Sequence, residues 1–126
     1  MREILFRGKG INDKEWRYGF YTEQQGYPYI TPDGVAMYEI DANTAGQYTG
    51  FVDKNGKKIF EGDIVCMDDW IPPCMQVAYV QGAFYLAEIE KPVNYYGDIY
   101  YLNHGEKPHA KVIGNIYDNS VLLKER

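Results

Sequence analysis

Three groups of side chains in this sequence have the types and spacing that chemistry needs. The carboxylates come first. Asp63, Asp68 and Asp69 bracket the short apolar run Ile64-Val65-Cys66-Met67, and acids clustered at one strand end can hold a divalent cation or divide acid and base roles between them. That pattern supports a metal-assisted hydrolase only as a minor alternative, because an Asp-Asp pair after a strand more often opens a solvated loop. Sulfur and imidazole come second. Cys66, Cys74, His104 and His109 are a zinc set in principle. However, the cysteines are eight residues apart, no Cys-x-x-Cys spacing occurs, and both histidines lie in another loop. The simpler expectation is two reduced, buried thiols, since free cysteine behaves as a small hydrophobe, and two solvated histidines. The third candidate is a hydroxyl nucleophile. The chain has one serine, Ser120, with no histidine near it in sequence, and a nucleophile needs an adjacent base. No phosphate-cradling Gly-x-x-x-x-Gly-Lys-Ser/Thr loop is present. The sequence therefore names no catalytic residue, no resident metal and no cofactor, and the chain is not expected to be an enzyme.

Tyrosine carries more information. There are thirteen among 126 residues, with five Phe and two Trp. Tyr27, Tyr29, Tyr95, Tyr96, Tyr100 and Tyr101 sit in turn-rich or alternating segments that cannot all face one core. Tyrosine buries area at low entropic cost while keeping a polar tip, which suits an interface. These residues point to contact with another copy of the chain or with a different protein, against the plainer reading that strands simply favour tyrosine. A single-strand nucleic-acid platform also uses aromatics but needs a basic groove beside them. From Gly82 to Glu106 there is one Lys against Glu88, Glu90, Asp98 and Glu106.

The whole-chain balance agrees. The formal net charge is −5, and both the part before Gly46 (five basic, seven acidic) and the part after it (eight and eleven) are mildly acidic. Duplex binding takes most of its affinity from Lys and Arg on phosphates, so duplex nucleic acid is disfavoured as a partner. A looser nucleic-acid-associated role remains the alternative to protein contact. No apolar run is long enough for a membrane span or the core of a signal peptide, so no membrane partner and a cytoplasmic setting are expected.

The elements that must position these groups are strands. Apolar residues make up 45% and charged residues 25%, which is globular composition. In Glu15-Trp16-Arg17-Tyr18-Gly19-Phe20-Tyr21 the three residues Trp16, Tyr18 and Phe20 share one side of a half-buried strand, and Ile4 to Arg7 alternates likewise. Thr31-Pro32-Asp33-Gly34 is a turn, followed by a strand from Ala36 to Ile40. Asp53-Lys54-Asn55-Gly56 reads as a hairpin with a type I′ turn at Asn-Gly, joining Tyr48–Val52 to Ile59-Phe60. Ile64 to Met67 reads as a strand covered on both sides. A second hairpin spans Met75 to Ile89 about Gln81-Gly82. Tyr95 to Tyr101 surrounds a turn, Ala110 to Tyr117 is the last strand, and a short helical turn covers Val121 to Leu123. Eight to ten short strands predict an all-β chain, a compact barrel-like domain of antiparallel strands over residues 1–126. Within it, an N-terminal meander (1–45) packs on a barrel-like part (46–126).

The central segment from Gly46 to Val65, GQYTGFVDKNGKKIFEGDIV, together with Arg2-Glu3-Ile4-Leu5-Phe6-Arg7 near the start and Val112-Ile113-Gly114-Asn115-Ile116-Tyr117-Asp118-Asn119 near the end, resembles the signature of the YopX family of phage and prophage proteins. The resemblance implies a β-rich fold, a phage or prophage origin and a cytoplasmic setting in the bacterial host, so that a partner other than a second copy is expected to be a host or phage protein, and it implies no reaction. Within the central motif, Gln47, Tyr48, Thr49, Asp53 and Asp63 are candidates for a binding surface. The competing reading is turn chemistry, the commoner use of Gly, Asn and Asp.

Overall fold

The computed structural model describes residues 3–68, 73–89 and 110–118, and the backbone of 95–98. The chain is all-β, and it forms two compact units, Met1–Tyr48 and Thr49–Arg126.

In the first unit β1 (Phe6–Lys9), β2 (Trp16–Gln24), β3 (Tyr27–Thr31), β4 (Tyr38–Glu39) and the start of β5 (Gly46–Val52) form antiparallel neighbours in the order β4-β3-β2-β1-β5. The β2–β3 turn is Gln25-Gly26, with φ of +53° and +85°, the two positive angles of a type I′ turn. The sequence pattern did not reveal β3, because Pro28 interrupts it and proline argues against a strand that needs every amide. Here the Pro28 carbonyl is put to use, accepting from Ile40 N at 3.1 Å. The expected strand from Ala36 to Ile40 shortens to β4 and a single bridge, Gly10↔Ile40. Beside that bridge Ile11 N donates to Glu39 O (3.0 Å) and Asp41 N to Lys9 O (2.8 Å). The sheet therefore curls until the β4 end returns to the end of β1.

So tight a curl leaves little room inside. Its inner face carries Gly8, Gly19 and Ile30, with Ile40 filling the space over Gly8; both isoleucines are buried. The expected buried side of β2 is thereby corrected. Trp16 is half-buried, Tyr18 and Phe20 are exposed, and it is Gly19 that is buried. A Cβ on Gly19 would lie 2.4 Å from Thr31 O on the neighbouring strand, so no larger side chain fits there, and Trp16, Tyr18 and Phe20 stand on the outer face.

In the second unit β5 continues into a hairpin with β6 (Lys58–Phe60). The strands β7 (Asp63–Cys66), β8 (Cys74–Val80), β9 (Ala83–Ala87), β10 (Tyr95–Asp98) and β11 (Lys111–Asn115) form an antiparallel sheet in the order β10-β9-β8-β7-β11. Val65 stands opposite both Met75 and Val112, and Val77 opposite Leu86. With Ile59, Phe84 and Ala110 they make one buried aliphatic cluster, each large side chain contributing about 1.5–3 kcal/mol by leaving water. Asp63, Ile64 and Val65 are all buried, so β7 is covered on both sides as its unbroken apolar run predicts.

Three expectations change in detail. The Asn-Gly hairpin exists, but Gly56 N donates to Asp53 O (3.0 Å) and only Gly56 in the turn has positive φ, +83°. This is a type I turn closed by a left-handed glycine, the three-residue hairpin loop. The closed barrel gives way to two antiparallel sheets. Barrel closure needs an unbroken ladder, whereas β4 is two residues long, and β10 and β11 carry register shifts at Tyr95/Gly97 and Val112/Gly114. Finally, Cys66 and Cys74 are not two reduced thiols. They face each other across β7 and β8 and form a disulfide, because Met67 N bonds to Pro73 O (2.8 Å) and turns the chain straight back. Pro73, one of the two prolines read as breaking the strand, sits in the return.

Candidate functional site

The central-motif residues divide by unit. In the first, Gln47 stands opposite Phe6 on β1, and Tyr48, mostly buried, donates its amide to Leu5 O at 2.8 Å. In the second, Thr49 Oγ1 donates to Ile59 O (2.8 Å) and accepts from Phe51 N. Asp53, 2% exposed, accepts from Asn55 N (2.8 Å) and Lys57 N (2.9 Å) through Oδ1, and from Val112 N (3.0 Å) through Oδ2. Its carboxylate thus closes the hairpin turn and also engages an amide of β11 far away in sequence. Burial pushes the Asp53 carboxyl up, but the amides of Val112, Lys57 and Asn55 together outweigh it, leaving the group below the ordinary aspartate range. Asp63 is equally buried and accepts from Phe60 N at 2.7 Å. Gly62 has φ of +91°, and a Cβ there would meet the Tyr117 ring at 2.8 Å, so the last turn of the described chain packs directly on the motif. Both carboxylates point inward to backbone amides, as turn chemistry requires.

The two described acids of the trio lie at opposite ends of β7. Asp63 begins β7, whereas Asp68 lies exposed beyond its other end; Asp69 lies outside the described residues, as do His104, His109, Tyr100 and Tyr101. Tyr95 and Tyr96 are described by their backbone in β10 alone. Among the described residues no three His, Cys, Asp or Glu side chains come close enough to hold a metal ion. No helix among them is long and apolar enough to cross a membrane.

What the structure assembles instead is the outer face of the first unit. Antiparallel register puts Lys9 opposite Trp16 and Arg7 opposite Tyr18. It also puts Thr31 opposite Phe20, and Tyr27 and Tyr29 opposite Gln24 and Thr22. Opposed residues share a face, so Trp16, Tyr18, Phe20, Tyr27 and Tyr29 lie together across two adjacent strands. Tyr18 is 46% exposed, Tyr27 58% and Phe20 61%. The guanidinium of Arg7, almost wholly buried, stacks on the Trp16 ring with 4.7 Å to its centroid, a cation–π arrangement that holds the indole in place. Sequence reasoning named Tyr27 and Tyr29 as contact residues but read Trp16, Tyr18 and Phe20 only as sharing one side of a half-buried strand. Gly19, at the centre of that pattern, was the available signal: a glycine flanked by large aromatics marks a close approach on its own side, which sends its neighbours outward.

A family model described as YopX protein matches residues 5–124. A search of curated proteins finds no match. The chain belongs to the YopX family.

Proposed function

We propose that this YopX-family chain is a phage or prophage accessory protein that acts by protein–protein contact, with the outer face of β2 and β3 as the contacting surface and a second copy of the chain as its first partner. The observation that carries the reading is the exposure of Tyr18, Phe20 and Tyr27 on one face of β2 and β3. Isolated exposed apolar residues are ordinary on any surface. Adjacent aromatics on a regular sheet present rigid area of the kind that interface hot spots use. Self-association fits such a face because a two-fold axis brings the same patch of both copies together.

Light scattering at rising concentration tests this. The expected mass is a multiple of 14.6 kDa for the native chain and the monomer value for the double variant Tyr18→Ser/Phe20→Ser. A native chain that stays monomeric at high concentration removes self-association.

A second reading draws on Arg7 and Lys9, which place cations beside Trp16 and Tyr18 on this face. Aromatics flanked by cations can stack single-stranded nucleic acid. The net charge of −5 opposes it, and retention on a single-stranded oligonucleotide that does not weaken with salt removes it.

A further inference from the structure

The Cys66–Cys74 bridge joins strands that other pairings also hold together. The aliphatic cluster of the second unit takes Val65 from β7 and Met75 from β8, the positions adjacent to the two cysteines. Strand alternation therefore places both sulfurs on the opposite face of the sheet. Both cysteines are half-exposed. The strands they join are independently paired, Ile64 with Gln76 and Val65 with Met75, while β7 is held on its other side by β11. The loop between them is closed by the backbone bond from Met67 N to Pro73 O. A staple adds most where the chain it closes is long and otherwise loose. Here it closes eight residues between strands already in register.

A second observation concerns charge. Lys111 on β11 stands directly opposite Cys66 and is exposed. Cys74, Cys66 and Lys111 thus form one row across three strands, with the Cβ atoms of Cys66 and Lys111 about 4.5–5.5 Å apart. A cation beside a sulfur stabilises its thiolate and makes it the better leaving group in exchange.

We propose that Cys66–Cys74 is an exchangeable disulfide, a thiol–disulfide exchange site whose co-substrate is a low-molecular-weight thiol, with Cys74 the sulfur attacked and Cys66 the thiolate released beside Lys111. The incoming thiolate attacks Sγ of Cys74 and forms a mixed disulfide with it. The Sγ–Sγ bond breaks, and its electron pair leaves on Cys66. A second thiolate then attacks the small-molecule sulfur of the mixed disulfide and releases Cys74. Two thiols are oxidised to one small disulfide, two electrons reduce the protein bridge, and the two thiol protons end on Cys66 and Cys74. The intermediate makes Cys74 a site of reversible S-thiolation. This exchange is independent of the contact surface proposed above.

The test incubates the native, full-length chain with reduced glutathione at millimolar concentration. Opening is followed by maleimide mass shift, and folding by circular dichroism in the same samples. The expected result is two labelled thiols per chain with the strand signal unchanged, and a glutathione adduct trapped at Cys74 after rapid acid quench. Lys111→Gln should open about two- to threefold more slowly, as loss of one solvent-screened charge at this range predicts, and the difference should vanish at molar salt. Cys66→Ser/Cys74→Ser should keep the native spectrum. A bridge that opens only after denaturant unfolds the chain overturns the proposal, and so does a double serine variant that fails to fold, or an adduct trapped on Cys66.

Discussion

The two units solve the same problem, burying one side of an antiparallel sheet, with different materials. The second gathers Val65, Met75, Val77, Leu86, Val112 and their neighbours into an aliphatic core and turns its polar groups, Asp53 and Asp63, inward onto backbone amides. In the first, Ile30, Ile40 and Tyr48 are the buried apolar side chains among the described residues. Its curled sheet brings Gly8 and Gly19 close to their neighbours, and Tyr18, Phe20 and Tyr27 stand exposed on the other face. A unit that leaves its largest apolar side chains in water gives up stabilisation of about 1.5–3 kcal/mol per side chain. That cost points to use, and it separates a region organised for folding from one organised for contact.

Substitutions can break this contrast or sharpen it. The largest effect is expected from Asp53→Ala, which leaves the amides of Asn55, Lys57 and Val112 without their acceptor. Bonds to a charged group and buried donors left unpaired predict a loss of about 3–5 kcal/mol in urea unfolding. A loss below 1 kcal/mol would show that the second unit does not rest on its carboxylate. Next is Gly19→Ala, whose Cβ meets Thr31 O at 2.4 Å. Backbone cannot yield as a side-chain tip does, so about 2–3 kcal/mol is expected, against about 1 kcal/mol for Gly26→Ala, where nothing stands in the way and only the positive φ resists. Equal costs at the two glycines would mean that the first unit is not so tightly curled.

Acid should separate the units more gently. The folded Asp53 carboxyl is held below its ordinary value, so the unfolded chain takes up the proton first as pH falls. The stabilisation is complete above the unfolded value of about 3.9 and is lost as pH drops through the lower folded value. Unfolding midpoints measured from pH 6 to pH 2.5 should fall at the acid end for the native chain and flatten in Asp53→Asn. A slope that is the same in both would assign the acid sensitivity to other groups. The smallest effect on stability belongs to Phe20→Ser, within about 0.5 kcal/mol, since an exposed side chain away from special features contributes little. The same variant should lower the associated mass. A large stability loss would instead return Phe20 to a core.

Much of the fold was legible in the residues. Turn chemistry located the hairpins at Asp53–Gly56 and Gln81-Gly82, and the unbroken run after Asp63 located the buried strand, because both signals act within a few residues. β3 was hidden by Pro28, whose tolerance depends on which neighbour needs its missing amide. For the site, Tyr27 and Tyr29 were legible as contact residues from type alone. Trp16, Tyr18 and Phe20 were not, because alternation reports that two faces differ and is silent on which one meets water.

Local pattern therefore determined the strands, their turns, the all-β class and the family signature, all of which follow from backbone preferences and side-chain period along a short stretch. Tertiary structure alone decided three things: that Gly19 meets the Thr31 backbone on one face of the first sheet and leaves Trp16, Tyr18 and Phe20 on the other, that Asp53 reaches an amide 59 residues away, and that Cys66 meets Cys74. Each depends on the register between separate strands, and register is set by the sum of pairings across the sheet rather than by any one segment.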